Sequence, residues 1–272
     1  MAQSLMKETD RDLRKNVYEK INAARLAKSA ELDQLFTELI KLRHKVATQA
    51  DYANYRDYKL DALGRFDYTK EDCFTFHKAI AAECVPLLDR MEQERKNDLN
   101  LDALKPFDTD VDPQGRPGLR PFKDEQELID RTIECFKKIR PYYGECLETM
   151  DATGLLDLGS RLGKAPGGFN YPLYEVGVPF IFMNSVGSVR DLITMVHEGG
   201  HAVHSFLSRD LEITAFKNLP SEVAELASMG MELLSFDHWD VFFQNEEDLN
   251  RAKKEHLSKI MSVLPWVATI DS

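Results

Sequence analysis

The sequence predicts a mainly α-helical protein with one small β element. Three observations carry this reading. Apolar residues recur at helical spacing through most of the first half. One short run of apolar and aromatic residues, 178–183, has strand character. Two later segments return to helical spacing and carry the residues with chemistry.

Thr9, with Asp12 three residues later, fits a capping box, and apolar positions follow at Leu13, Val17, Ile21 and Ala24. Leu32, Leu35, Phe36, Leu39 and Ile40 keep the same period. Thr69 and Asp72 open another helix through Phe76, Ile80, Val85 and Leu88. Residues 105–121 hold four prolines and two glycines, which makes them a loop and the clearest internal break. Helical spacing resumes at Glu125 and runs to about Ile139, where Arg140-Pro141 interrupts it. Residues 159–168 are Gly-rich. The run 178–183 follows as a strand, and Pro179 puts it at a sheet edge or at a strand start. Ser188 and Asp191 cap a helix through Leu192, Met195 and Val196 to about Leu207. Another helix begins after Pro220-Ser221. The chain therefore divides into a helical segment, 1–150, and a core, 151–272, that holds the glycine loop, the strand and two site-bearing helices.

Composition excludes several classes. Hydrophobic residues make up 43% of the 272, enough for a real core. Lys and Arg number 35 against 46 Asp and Glu, a net charge of −11, so no nucleic-acid partner is expected. No apolar run approaches the ~18 residues of a membrane span, and no membrane partner is expected. The N-terminal MAQSLMKETDRDLRK lacks the apolar core of a signal peptide. Cys73, Cys84, Cys135 and Cys146 form no CxxC pair and read as reduced thiols of a cytoplasmic protein.

The sequence His197-Glu198-Gly199-Gly200-His201 lies inside a helix. Histidines four apart project from one face, one turn above the other. That pitch lets both imidazoles reach one zinc ion at ~2.0–2.1 Å. Glu198 sits beside such an ion rather than on it, placed to take a proton from a bound water. A metzincin would need Gly at 204 and His at 207, and His204 and Leu207 stand there instead. The third ligand is then sought on a later helix. Residues 220–236 are apolar almost all round, the mark of a buried helix, and Glu222, Glu225 and Glu232 interrupt them. Glu222 follows Ser221 and reads as ordinary first-turn charge. Glu225 and Glu232 share one face with Ser228 between them. A buried carboxylate is costly unless paired or metal-bound. A zinc would compensate Glu225, and Glu232 could orient a ligating imidazole.

HEGGHAVHSFLS (197–208) followed by AELASMGME (224–232) resembles the M3 family of zinc peptidases, the oligoendopeptidase F branch above all. The family's ExxSxxxE pattern falls on Glu225, Ser228 and Glu232. GKAPGGF (163–169) and PFIFMN (179–184) are similar to its glycine loop and active-site strand. The resemblance is strong over 151–232 and loose over the first half. It implies a helical zincin-like metallopeptidase domain with a small active-site β-sheet and one Zn2+ per chain. The ligands would be His197, His201 and Glu225, with Glu198 as catalytic base. Short unstructured peptides would be the substrates.

Two departures stand out. Relatives more often carry a bulky apolar residue at the position of Gly199. They also continue beyond the point matching Ser272, into a segment whose His and tyrosines bind substrate and stabilise the oxyanion; no Tyr follows Tyr174 here. The expectation is an internal portion of a longer peptidase, with either a wide, solvent-open cleft or a second polypeptide packed against the region of Leu264, Trp266, Val267 and Ile270. The rival reading is a non-catalytic zinc-binding helical fragment.

Other features have plain readings. His204 is ~10 Å from His197 along the helix, too far for the same coordination sphere, and has a structural or supporting role. His44, His77, His238 and His256 are assigned to surface or core. Gly163-Lys164 fails the Walker pattern, because Leu158 and Ala165 occupy its other required positions. Phe180 and Phe182 either pack a core or line an edge strand that pairs with extended substrate.

Overall fold

A computed structural model describes residues 2–272, and the side chains from residue 5 onward. Its elements form two units, residues 1–118 with 258–272 and residues 119–257, so the break falls inside the proline-rich loop.

The first unit is helical. It contains α1 (Arg11–Leu26), α2 (Ser29–Gln49), α3 (Tyr55–Ala62), α4 (Lys70–Ala79) and α5 (Val85–Asp98). The cap of α1 is Asp10 rather than Thr9: its carboxylate, one residue nearer, accepts from the backbone of Asp12 and Leu13. Thr69 and Asp72 form the predicted capping box of α4. A π-helical turn, Ile80–Cys84, joins α4 to α5, so the helical pattern runs on through Val85 and Leu88. Asp108 is fully buried and accepts from Arg11 Nε at 3.0 Å and Arg14 Nη2 at 3.0 Å, which satisfies its charge. The apolar stripe of α2 behaves differently from a core stripe: Leu32, Leu35, Phe36 and Ile40 are exposed.

The second unit holds α6 (Glu125–Ile139), α7 (Pro141–Ala152), β1 (Leu156–Gly159), β2 (Phe169–Tyr171), β3 (Phe180–Ser185), α8 (Val189–Ser208), α9 (Ser221–Ser235) and the first half of α10 (Glu246–Asp271). Thus α6 and α7, placed by sequence with the first segment, fold with the second unit. Pro141 begins α7 at its first position, where no N–H is needed. The sheet order is β1-β3-β2, with β3 parallel to β1 and antiparallel to β2. The strand is therefore central, and its edge reading is corrected; Pro179 marks its start. Ile181 and Met183 face a core built with Leu158, Leu192, Met195, Val196 and Phe136. No helix among the described residues is long and apolar enough to cross a membrane.

The glycine loop is closed by Lys164. Its buried ammonium donates to Gly159 O at 2.7 Å, Asp157 O at 2.9 Å and Asp157 Oδ1 at 3.0 Å, and it lies 4.5 Å from the centre of the Phe182 ring. Gly163 and Gly167 take φ of +84° and +104°, which lets the loop turn back. This lysine is committed to holding the loop on β1. Hydrogen bonds from Arg161, with Lys164 adding to them, hold the Asp157 carboxyl down at about 2.

Asp157→Asn should lower the unfolding free energy at pH 7 by about 2 kcal/mol, the order expected for hydrogen bonds to a charged group. A carboxyl depressed in the folded state adds stability above its unfolded value near ~4 and loses it as pH falls through its folded value. The gap between wild type and variant should therefore close between about pH 4 and pH 2. Urea titrations across that range measure it, and a gap independent of pH would reject the ion pair as its source.

Candidate metal centre

The site begins with the way α8 is started. Asp191 Oδ2 accepts from Val186 N at 2.9 Å and from Ser188 N at 2.8 Å, and Ser188 Oγ accepts from Asp191 N at 3.4 Å. This capping box fixes the strand-to-helix turn and so the rotation of α8. Its apolar face, Leu192, Met195, Val196 and Val203, is buried, and this leaves His197 and His201 projecting toward α9. Their rings are 5.0 Å apart and nearly perpendicular.

Two glycines set how close the neighbouring helices come. A Cβ on Gly200 would lie 2.8 Å from Ser228 Cα and 2.9 Å from Ala227 O, both on the backbone of α9. A Cβ on Gly199 would lie 2.8 Å from the tip of the Phe136 ring on α6. Phe136 thus fills the space that a side chain at position 199 would need. The cost of two mid-helix glycines, ~1 kcal/mol each, is offset by close packing on both sides.

That approach brings the predicted residues together. Ligand atoms of His197, His201 and Glu225 all lie within 4.8 Å of one another. His197 Nε2 is 3.3 Å and His201 Nε2 3.7 Å from the Glu225 carboxylate. Donors on one tetrahedral zinc stand roughly 3.4 Å apart at bond lengths of ~2.0–2.1 Å, so the spacing suits that ion. Ser228, fully buried, donates to Glu225 Oε2 at 3.0 Å. Glu232 Oε1 is 2.6 Å from His197 Nδ1. That bond assigns the proton to Nδ1 and leaves Nε2 as the free donor atom, turned to Glu225.

Glu198 is buried and stands outside this ligand group. Burial, with the charge of Glu225, raises its pKa, and the nearby backbone of Asn170 on β2 and the charge of His197 oppose the shift. The two histidines shift oppositely. Burial pulls both down. For His197 the hydrogen bond it donates to Glu232 and the charges of Glu232, Glu198 and Glu225 outweigh it, so its pKa rises. For His201 burial prevails over Glu225, helped by the nearby His197 and His204. His204 and Glu222 lie outside the ligand group.

Two findings depart from the sequence reading. The helix α9 is not buried all round: only Ser228, Met231 and Ser235 are buried, Leu226 is 72% exposed, and the Glu225 side chain is 45% exposed. Ser221 is its first residue and makes no side-chain cap. For His256, assigned by sequence to surface or core, the structure gives core. It is buried on α10, with Nε2 3.3 Å from Glu232 Oε2. Its wide separation in sequence from the other site residues leaves no local signal of this.

The model of peptidase family M3 matches residues 4–269. The plasmid-encoded oligoendopeptidase F of Lactococcus lactis subsp. cremoris is 24% identical over 83% of this chain and 36% of its own length. The oligopeptidase PepF of Bacillus subtilis is 29% identical over 55% of this chain and 22% of its own. The solved structure of PZ peptidase A with an inhibitor superposes with a TM-score of 0.91 at 28% identity, over 99% of this chain and 48% of that one. The chain thus spans about half of that solved relative and about a third of the Lactococcus protein.

Gly200→Ala should destabilise the fold by about 1–3 kcal/mol through overpacking, despite a helix-propensity gain of ~1 kcal/mol. Gly230 on α9, where a Cβ meets nothing within 4 Å, is the control. Its Ala variant should be stabilised by roughly 0.5–1 kcal/mol. Denaturant titration of both variants checks this, and equal effects of like sign would dismiss close packing at Gly200.

Proposed function

Because the chain belongs to peptidase family M3, we propose that it works as a zinc-dependent endopeptidase that hydrolyses short peptides. The observation that carries this reading is the convergence of His197, His201 and Glu225 within 4.8 Å, with Glu198 beside them and outside the ligand set. Family membership and the names of the relatives support the reaction class; the donor chemistry supports the metal.

His197, His201 and Glu225 would hold the ion. Zinc supplies Lewis acidity, which makes water nucleophilic near neutral pH and polarises a carbonyl. Glu198 then takes the water's proton and later delivers it to the leaving amine. Its raised pKa matches that two-way task better than an exposed glutamate's would. The backbone of Asn170, near its carboxylate, lies on β2, an outer strand of the sheet. An extended peptide pairing with that outer edge would run past the base. This role falls to β2, since β3 has strands on both sides.

A second reading is a zinc-binding helical portion that does not turn over peptide alone. It is favoured by the chain's matching only 48% of the solved relative's length. Turnover of a quenched peptide by the 272-residue chain, with and without an added segment from a relative, separates the two.

Metal-replete protein should contain about one zinc per chain, and Glu225→Ala should lose it readily to a chelator. Unchanged retention would mean that another residue is the third ligand. Glu198→Gln should retain zinc and lose peptidase activity by roughly 10²–10⁴-fold, measured in a version active before substitution. Near-wild-type turnover would remove Glu198 from the mechanism.

A further inference from the structure

His256 is 2% exposed, and neither of its ring nitrogens has a hydrogen-bond partner. The rings of Trp239 and Phe236 flank it, with centroids at 5.4 Å and 5.9 Å. Apolar packing alone would be served better by a residue without polar atoms, because burying an unpaired polar group is costly. The polar group the structure sets beside it is Glu232, whose Oε2 is 3.3 Å from His256 Nε2.

Glu232 therefore stands between two histidines. Its Oε1 accepts a hydrogen bond from His197 Nδ1, and its Oε2 faces His256. A carboxylate held through one oxygen can still swivel about its last torsion, and the imidazole bound to it swivels too. A second donor on the other oxygen removes that freedom. Burial lowers the pKa of His256, so the ring is neutral and has one N–H to give. At 3.3 Å the two atoms are already within reach, and a small turn of the ring or of the carboxylate aligns the N–H of Nε2 on Oε2.

We propose that His256 is a positioning residue of the metal centre: it holds Glu232, which in turn fixes His197 with Nε2 turned toward the ion. The proposal rests on the zinc reading above. It adds a residue from α10 to a site otherwise built on α8 and α9. Partners of ligating histidines commonly govern metal affinity by 10–100-fold, because they set ring orientation and basicity.

The test uses the 272-residue chain and zinc alone, with affinity read by competition against a chromophoric chelator. His256→Phe keeps the bulk and removes the donor. It should weaken zinc binding by about 10–100-fold while the thermal midpoint of the metal-free protein holds or rises. His256→Gln, which returns an N–H near the same place, should recover most of the affinity. In a Glu232→Ala background, His256→Phe should have no further effect on zinc. Should the Phe variant fail to fold, His256→Met replaces it with the same expected loss, since methionine adapts to irregular cores. Equal zinc affinity in wild type and Phe variant would overturn the proposal. So would equal losses in the Phe and Gln variants accompanied by a fall in metal-free stability, which marks core packing only. Failure of the wild type itself to bind zinc would overturn the zinc reading, and this proposal with it.

Discussion

The close approach of α8 and α9 at Gly200 is the constraint on which the site depends. With no side chain there, the backbone of α8 reaches the Cα of Ser228 and the carbonyl of Ala227. The histidines come from α8, and the carboxylates that face them, Glu225 and Glu232, from α9. A helix pair spread by the width of a methyl group would carry Glu225 away from His197 and His201 together. Ser228 reinforces the arrangement: fully buried in the contact, it donates to Glu225 Oε2 and so aims the carboxylate as well as separating the two glutamates along the helix. Gly199 does the same work on the other side of α8, where Phe136 of α6 presses against it. The helix is wedged between two neighbours at consecutive residues, which leaves little freedom for rotation or sliding.

Charge explains why such a site suits a divalent cation. Three carboxylates, Glu198, Glu225 and Glu232, surround two imidazoles on a partly buried surface. Burial raises Glu198 and lowers His201, both toward their neutral forms. His197 alone is drawn toward its charged form, because Glu232 hydrogen-bonds to its inner nitrogen. The local balance is thus rich in negative charge and short of positive charge. A cation at the convergence of the Nε2 atoms and Glu225 offsets that imbalance without displacing any existing hydrogen bond. A proton on His197 offsets only part of it, and it would occupy the nitrogen that faces Glu225.

Sequence spacing captured what is local. The i, i+4 histidines, the Ser188–Asp191 box and the Glu225–Ser228–Glu232 face each follow from helical period alone. The boundaries of α6 at Glu125 and Ile139 follow from a cap and a proline. What escaped was long-range. Sheet order is set by partners distant in sequence, so Pro179 signalled a strand start but could not tell an edge strand from a central one. Thr9 and Asp10 are both good caps, and only the path of the chain into α1 decides between them. The uniform apolarity of α9 suggested burial on every side, whereas one face packs on α8 and Leu226, Met229 and Leu233 stand exposed. The glycine at 199 is required by Phe136, far back on α6, which no local pattern announces. His256 carries no motif at all; the folding of α10 alone sets it next to Glu232.

The proposed ligands, the base, Glu232 and His256 all fall within residues 119–257. Metal binding on this reading is a property of one unit, built from α8, α9 and the start of α10 and braced by α6. Handling a peptide makes a different demand. It needs surface that grips a chain on both sides of the scissile bond and donors that meet the developing oxyanion, and loss of a single such donor typically costs ~10²–10³-fold. The residues near Glu225 on the outer face of α9, Leu226, Met229 and Leu233, are apolar and exposed, a surface fitted to contact rather than to water. The solved relative has about twice this chain's length. On that reading, holding an ion and turning over a substrate are separable properties: the first follows from the spacing of two helices, and the second also needs a surface that grips the peptide.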